Sequence, residues 1–137
     1  MEAREYLNQI GKLNSLIKNK LVEVEQWRDI AFSITAQMGG ERVQSSGNQQ
    51  KMATAIEKYV AIENEIDAHI DRLIDLRVEI IATIEQLDQK EYDLLHHMYV
   101  QMKPLKTAAA DLNYSYSWAK ETHREALAKV QKIIDNR

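Results

Sequence analysis

The stretch LKTAAADLNYSYSWAKETHREALAKV, residues 105–130, decides how this chain folds. It divides into a short helix over residues 106–112, a three-residue turn and a longer polar helix that starts at residue 116. Ala108, Ala109 and Ala110 are small, so a following helix can cross close to them. Asn113 stands where the turn needs a positive φ, a conformation Asn tolerates better than any other residue with a side chain. Ser115 is a good N-cap. Ala119, Thr122, Ala126, Leu127 and Val130 recur at helical spacing and define an inward face. Upstream, Leu94, Leu95, Met98 and Tyr99 give another helix its apolar side, and Pro104 ends it, because a proline excludes helical geometry from the residue before it. The order of parts is that of a helix-turn-helix.

Such a unit reads DNA by placing the first turns of its second helix in the major groove. Tyr116, Ser117, Lys120, Glu121, His123 and Arg124 are then expected on the outward face. Tyr116, Ser117 and Lys120 would meet base edges or nearby phosphates, Arg124 guanine or phosphate, and His123 phosphate. Lys103, Lys106 and Thr107 open the shorter helix, where cations and backbone amides hold phosphates. Ser115 belongs to the same set through its cap position. Glu121 would repel phosphate, or accept a bond from a cytosine amino group.

The other two thirds carry a different pattern. Ile10, Leu13, Ile17, Lys20, Val24, Trp27, Ala31, Ile34 and Met38 alternate steps of three and four, the seam of a coiled coil or helical hairpin. A second seam runs Tyr59, Ile62, Ile66, His69, Leu73, Leu76, Ile80, Thr83, Leu87. Between them GGERVQSSGNQQ, residues 39–50, is rich in turn formers and reads as a loop, with Val43 its single apolar residue. Gly39 and Gly40 would supply a left-handed cap to the first helix. The expected architecture is all-α. A long antiparallel, coiled-coil-like hairpin fills residues 1–88, with helices over about 4–38 and 51–88. A small helix-turn-helix domain fills residues 90–137. Ile56, Ile70, Ile74, Ile81 and Ile84 widen the second helix's apolar stripe beyond what one partner helix covers. Part of it should meet the carboxy-terminal domain or a second copy of the chain, and a homodimer is expected.

The formal net charge of −3 over 137 residues is unevenly spread. Residues 1–50 balance at zero, residues 51–90 carry −4, and residues 91–137 carry +1 with three of the four histidines. Glu63, Glu65, Asp67, Asp71, Asp75 and Glu79 form a solvated acidic face. With no cysteine there is neither a disulfide nor a thiolate metal site. The charged start does not resemble a signal peptide, and no apolar run reaches the roughly 18 to 20 residues of a membrane span. A cytoplasmic protein without a membrane partner is expected.

No phosphate loop, nucleophile elbow or Cys/His pair is present, so neither catalysis nor a cofactor is expected. Adjacent His96 and His97 diverge by about 100° on a helix. Asp93 and His96 have i, i+3 spacing, but the second pair of a di-iron bundle is missing. No metal site is expected.

With these residues in view, residues 91–134 resemble region four of sigma factors, the module that reads the −35 promoter element. The likeness lies in the apolar helix before Pro104 and in Leu112-Asn113, Ser115 and Ala126-Leu127. Taken whole, the chain resembles small phage and prophage proteins of Gram-positive bacteria, which carry RVQSS (residues 42–46 here) between two amino-terminal helices. In layout it is similar to ArpU-like and RinA-like phage transcriptional regulators. The resemblance implies a phage-encoded, DNA-binding regulator acting at a promoter in a bacterial host, with double-stranded DNA and RNA polymerase or another regulatory protein as partners. Two alternatives fit the same layout: a protein-interaction module for a host or phage factor, or a packaging accessory similar to a small terminase subunit.

Overall fold

A computed structural model describes residues 1–39 and 46–137, with side chains for 1–34 and 47–137. Every described element is helical: α1 (Ala3–Gly39), α2 (Ser46–Ile84), α3 (Gln89–Leu95), a π turn (His96–Val100), α4 (Leu105–Asp111) and α5 (Tyr116–Asp135). The all-α class expected from the periodicities is what the chain adopts. α2 begins at Ser46 and ends at Ile84, earlier at both ends than its apolar pattern implies. Gly39 is still helical. Gly40 and residues 42–45 of the RVQSS phrase, Val43 among them, lie outside the described residues.

The chain divides into two compact units. The first joins Met1–Asn14 to Arg72–Arg137, and the second is Ser15–Asp71. The unit bearing the helix-turn-helix therefore does not start near residue 90. It takes in the first turns of α1 and the last turns of α2.

The core of the first unit explains why. Tyr6, Leu7 and Ile10 of α1 are buried in one cluster with Leu76, Ile80 and Ile84 of α2, Leu95, Tyr99 and Val100, and Ala126 and Val130 of α5. Leu7, Ile10, Ile80, Ile84, Leu95 and Val130 are fully buried. Each such side chain contributes about 1.5–3 kcal/mol over its exposed state. The broad stripe of α2 is thus covered at this end by α1 on one side and by residues 95–130 on the other. Polar groups at its margin are paired. The Tyr6 hydroxyl and Thr83 Oγ1 lie 3.0 Å apart, Arg137 donates to both, and the backbone N–H of Ala3 donates to Gln131 at 2.7 Å.

Local chemistry sets the helix ends. After Ile84 the chain turns through Leu87, and the Asp88 carboxylate caps α3 by accepting from the Glu91 N–H. At the far end of that segment the helix widens. The N–H of Gln101 reaches back to His96 O at 2.9 Å and that of Lys103 to His97 O at 3.0 Å. Met102 takes a left-handed φ of 60°, and its side chain lies against Gly11. A Cβ on Gly11 would meet Met102 Sδ at 3.0 Å, so the missing side chain makes the room.

In the second unit α1 and α2 run antiparallel. Ile17, Val24, Ala31, Ala55 and Ile66 are buried, and Lys20–Glu65 (2.9 Å) and Arg28–Glu63 (3.1 Å) bridge the helices at the rim. Two helices cannot cover both apolar rows. Leu21, Val22, Ile30, Phe32, Ile56, Val60 and Ile70 stay exposed, Phe32 most of all at 72%.

Candidate nucleic-acid interface

The α4–turn–α5 unit is held from below by a small, closed core. Ala108 and Ala109 of α4 pack on Ala119 of α5 and Leu94 of α3, all buried, with Leu105, Leu112 and Trp118 around them. Alanines at these places let the two helix backbones approach, as the sequence anticipates. The turn is closed by Leu112 N–H to Ala108 O (3.1 Å), Asn113 N–H to Ala110 O (3.1 Å) and Tyr114 N–H to Ala109 O (2.9 Å). Asn113 has φ 62°. Ser115 caps α5 and accepts from the Trp118 N–H at 3.1 Å. The start of α5, its direction and its rotation are therefore all specified by local contacts.

That rotation decides which side chains are presented. Ala119, Thr122, Ala126 and Val130 are buried. Tyr116, Ser117, Lys120, Glu121 and Arg124 are exposed, as are Lys106, Thr107 and Ser115. His123 is a correction to the sequence reading, because it is only 8% exposed and does not belong to the outward face. It follows Ala119 by four and precedes Ala126 by three, which turns it inward. There its Nε2 shares a 2.7 Å hydrogen bond with the Tyr99 hydroxyl, and the two rings stack at 5.8 Å. Burial pushes the imidazole below its ordinary pKa, and the positive Arg4 adds to the effect. Burial likewise pushes the Tyr99 phenol up. The pair ties α5 to the π turn and is a packing device.

The exposed charges are partly spent on one another. Lys103, half-buried, donates to Asp111 at 2.7 Å across α4, and this bond is the main reason the Asp111 carboxyl lies below its usual range. Arg124 donates to Glu121 one helical turn back, which holds the Glu121 carboxyl low and the guanidinium high. Lys120 lies 4.7 Å from the Tyr116 ring centroid, a cation–π contact. Lys106 and Lys120 have no ion pair among the described residues. Trp118 is half-buried and lies against Tyr114, the ring centroids 4.0 Å apart and the planes tilted by 44°, with the Lys90 ammonium 5.8 Å from its ring.

Two features here escape a sequence reading. Lys103 and Asp111 meet across eight residues, beyond any i, i+4 spacing, where Met102 has a left-handed φ and Pro104 opens α4. Lys129 of α5 reaches back to the buried Glu91 at 2.8 Å, a contact 38 residues apart that no local spacing announces.

Among the described residues no three His, Asp or Glu side chains converge on a point that could hold a metal ion. The His96 and His97 rings bond instead to Gln101 and to the Asp93 carbonyl. No described helix is long and apolar enough to cross a membrane. Set beside known protein families, curated proteins and solved structures, the chain has no match.

Proposed function

We propose that the α4–α5 unit docks on double-stranded DNA with the first two turns of α5 in the major groove, and that the chain regulates transcription from a promoter. The observation that supports this is the split of α5. One side is locked into the core by Ala119, Thr122, His123, Ala126 and Val130. The other presents Tyr116, Ser117, Lys120, Glu121 and Arg124 without obstruction. Lys106 and Thr107 flank that face from α4, where they would meet phosphate. The protein then works by occupying or recruiting at a promoter, with no chemistry of its own, in the cytoplasm of a bacterial host. A phage origin follows from the resemblance noted above.

The test is an anisotropy titration of labelled duplex DNA over a salt series. Binding that weakens steeply with salt is expected, and replacing both Lys106 and Lys120 by Ala should lower the slope of log K against log salt by about 2. No binding at low salt would remove the proposal.

A second reading, a protein-binding module, draws on two observations. Lys103 and Arg124 are engaged by acids, and the second unit leaves Phe32, Val22 and Leu21 more than half exposed. Burial of those side chains against a second copy, RNA polymerase or another regulator would stabilise the hairpin. Sedimentation over a concentration series separates a self-associating hairpin from one that stays monomeric.

A further inference from the structure

We propose that Glu121 and Arg124 act together as one reading unit for a C·G base pair, and that this unit gives the interface its base preference. The inference rests on the DNA-docking reading above. Ser117, Glu121, Arg124 and Ala128 succeed one another by four, three and four residues and form a single exposed line on α5. It lies opposite the buried Ala119, Thr122, Ala126 and Val130. Glu121 therefore stands in the middle of the presented face, not at its edge. A carboxylate brought among phosphates and base-edge acceptors is repelled unless something donates to it.

The geometry points to what that donor is. Arg124 Nε approaches Glu121 Oε2 at 3.4 Å, and Arg124 Nη2 donates to Oε1. Both carboxylate oxygens are thus turned towards the guanidinium, and Arg124 holds the group ionised. An ionised carboxylate only accepts. Its lone pairs exceed the bonds it already takes, and a guanidinium has five N–H donors, of which this contact uses two. The pair consequently presents free acceptor sites beside free donor sites, in fixed order along the helix.

In the major groove, cytosine shows its N4 amino donor and its partner guanine shows O6 and N7 as neighbouring acceptors. Donor faces acceptor on both halves of the match. An A·T pair offers Glu121 the adenine N6 donor, but its acceptors, N7 and thymine O4, stand on either side of that donor and give Arg124 no neighbouring pair like guanine O6 and N7, so it satisfies only half of the unit well. The mutual contact also holds two flexible side chains in position before DNA arrives, which lowers the ordering entropy lost on binding.

The experiment is selection from a pool of randomised duplexes at one low salt concentration, with the wild type, Glu121→Ala, Arg124→Ala and Glu121→Gln. Both side chains are exposed, so unchanged melting curves check that the variants fold. Wild type should enrich one position as C·G by roughly 10- to 100-fold. Glu121→Ala and Arg124→Ala should each flatten that same position to within about twofold, since each removes half of one unit. Glu121→Gln should shift the preference towards adenine, which glutamine bonds through N6 and N7. A preference that survives Glu121→Ala, or two variants that flatten different positions, would overturn the inference. So would wild-type binding that is salt-sensitive but indifferent to base, which leaves the docking reading standing. A wild type that takes up no duplex removes both.

Discussion

His123 shows how one residue's surroundings override its type. As a polar residue on a polar helix it suggests a phosphate contact, yet its register places it under α5 against Tyr99. Register was legible in the sequence, since 119, 122, 123 and 126 share one face; the partner was not, because Tyr99 lies on a π turn that no spacing announces. Burial favours the neutral ring. The unfolded chain therefore takes up a proton at higher pH than the folded one does, and stability is fully present only above the ordinary imidazole value near 6.5. Melting temperature should fall as pH drops from about 7 towards 5. His123→Gln should flatten that dependence, with the remaining slope carried by His96, which burial lowers in the same way. An unchanged slope in that variant would show that His123 does not titrate with folding.

At the scale of elements, the seams of α1 and α2 were readable in the sequence. Ile17, Val24, Ala31, Ile66, Leu76 and Ile80 stand where steps of three and four put them, and all are buried. Element ends were read less well. Ser46, Gly47 and Asn48 form turns in most settings but here open α2, and the π turn arises from backbone bonds that composition does not encode. The start of α5 was readable because a cap is a local event. One serine oxygen satisfies one orphan N–H, and Asn113 supplies the left-handed residue before it. Ser115→Ala should cost about 1 kcal/mol in chemical denaturation. On the DNA-docking proposal it should also weaken duplex binding beyond that loss of stability, because the presented face loses its anchor. Equal stability in the two proteins would mean that tertiary packing alone sets the helix start.

At the scale of the molecule, the surprise is which residues share a core. The width of the α2 stripe indicates that a second surface covers it, and the first unit supplies one, but the part played by Leu7 and Ile10 is not evident from a hairpin pattern. Those positions continue the α1 periodicity without any sign that their neighbours change from α2 alone to α2, the π turn and α5 together. Leu7→Ala should destabilise the first unit by about 2–5 kcal/mol. Because that core supports α5, the proposed duplex binding should be lost in the same variant at temperatures where the wild type keeps it. A melt within 0.5 kcal/mol of wild type, as for an ordinary surface substitution, would show that the amino-terminal turns are not part of the core.

The bond from Ala3 to Gln131 closes a gap of 128 residues, and this has a consequence for how the protein is made. On a ribosome adding roughly 5 to 20 residues per second, the first turns of α1 wait roughly 6 to 25 s for the α5 partners that complete their cover. During that interval Tyr6, Leu7 and Ile10 have at most Leu76, Ile80 and Ile84 of α2 and the π turn against them, and their remaining side is open to chaperones and to neighbouring nascent chains. The platform beneath α5 closes only when synthesis has passed Val130. A chain released early carries the hairpin without the finished platform, so on the DNA-docking proposal messages cut short should yield no competitor for the 137-residue chain on duplex DNA.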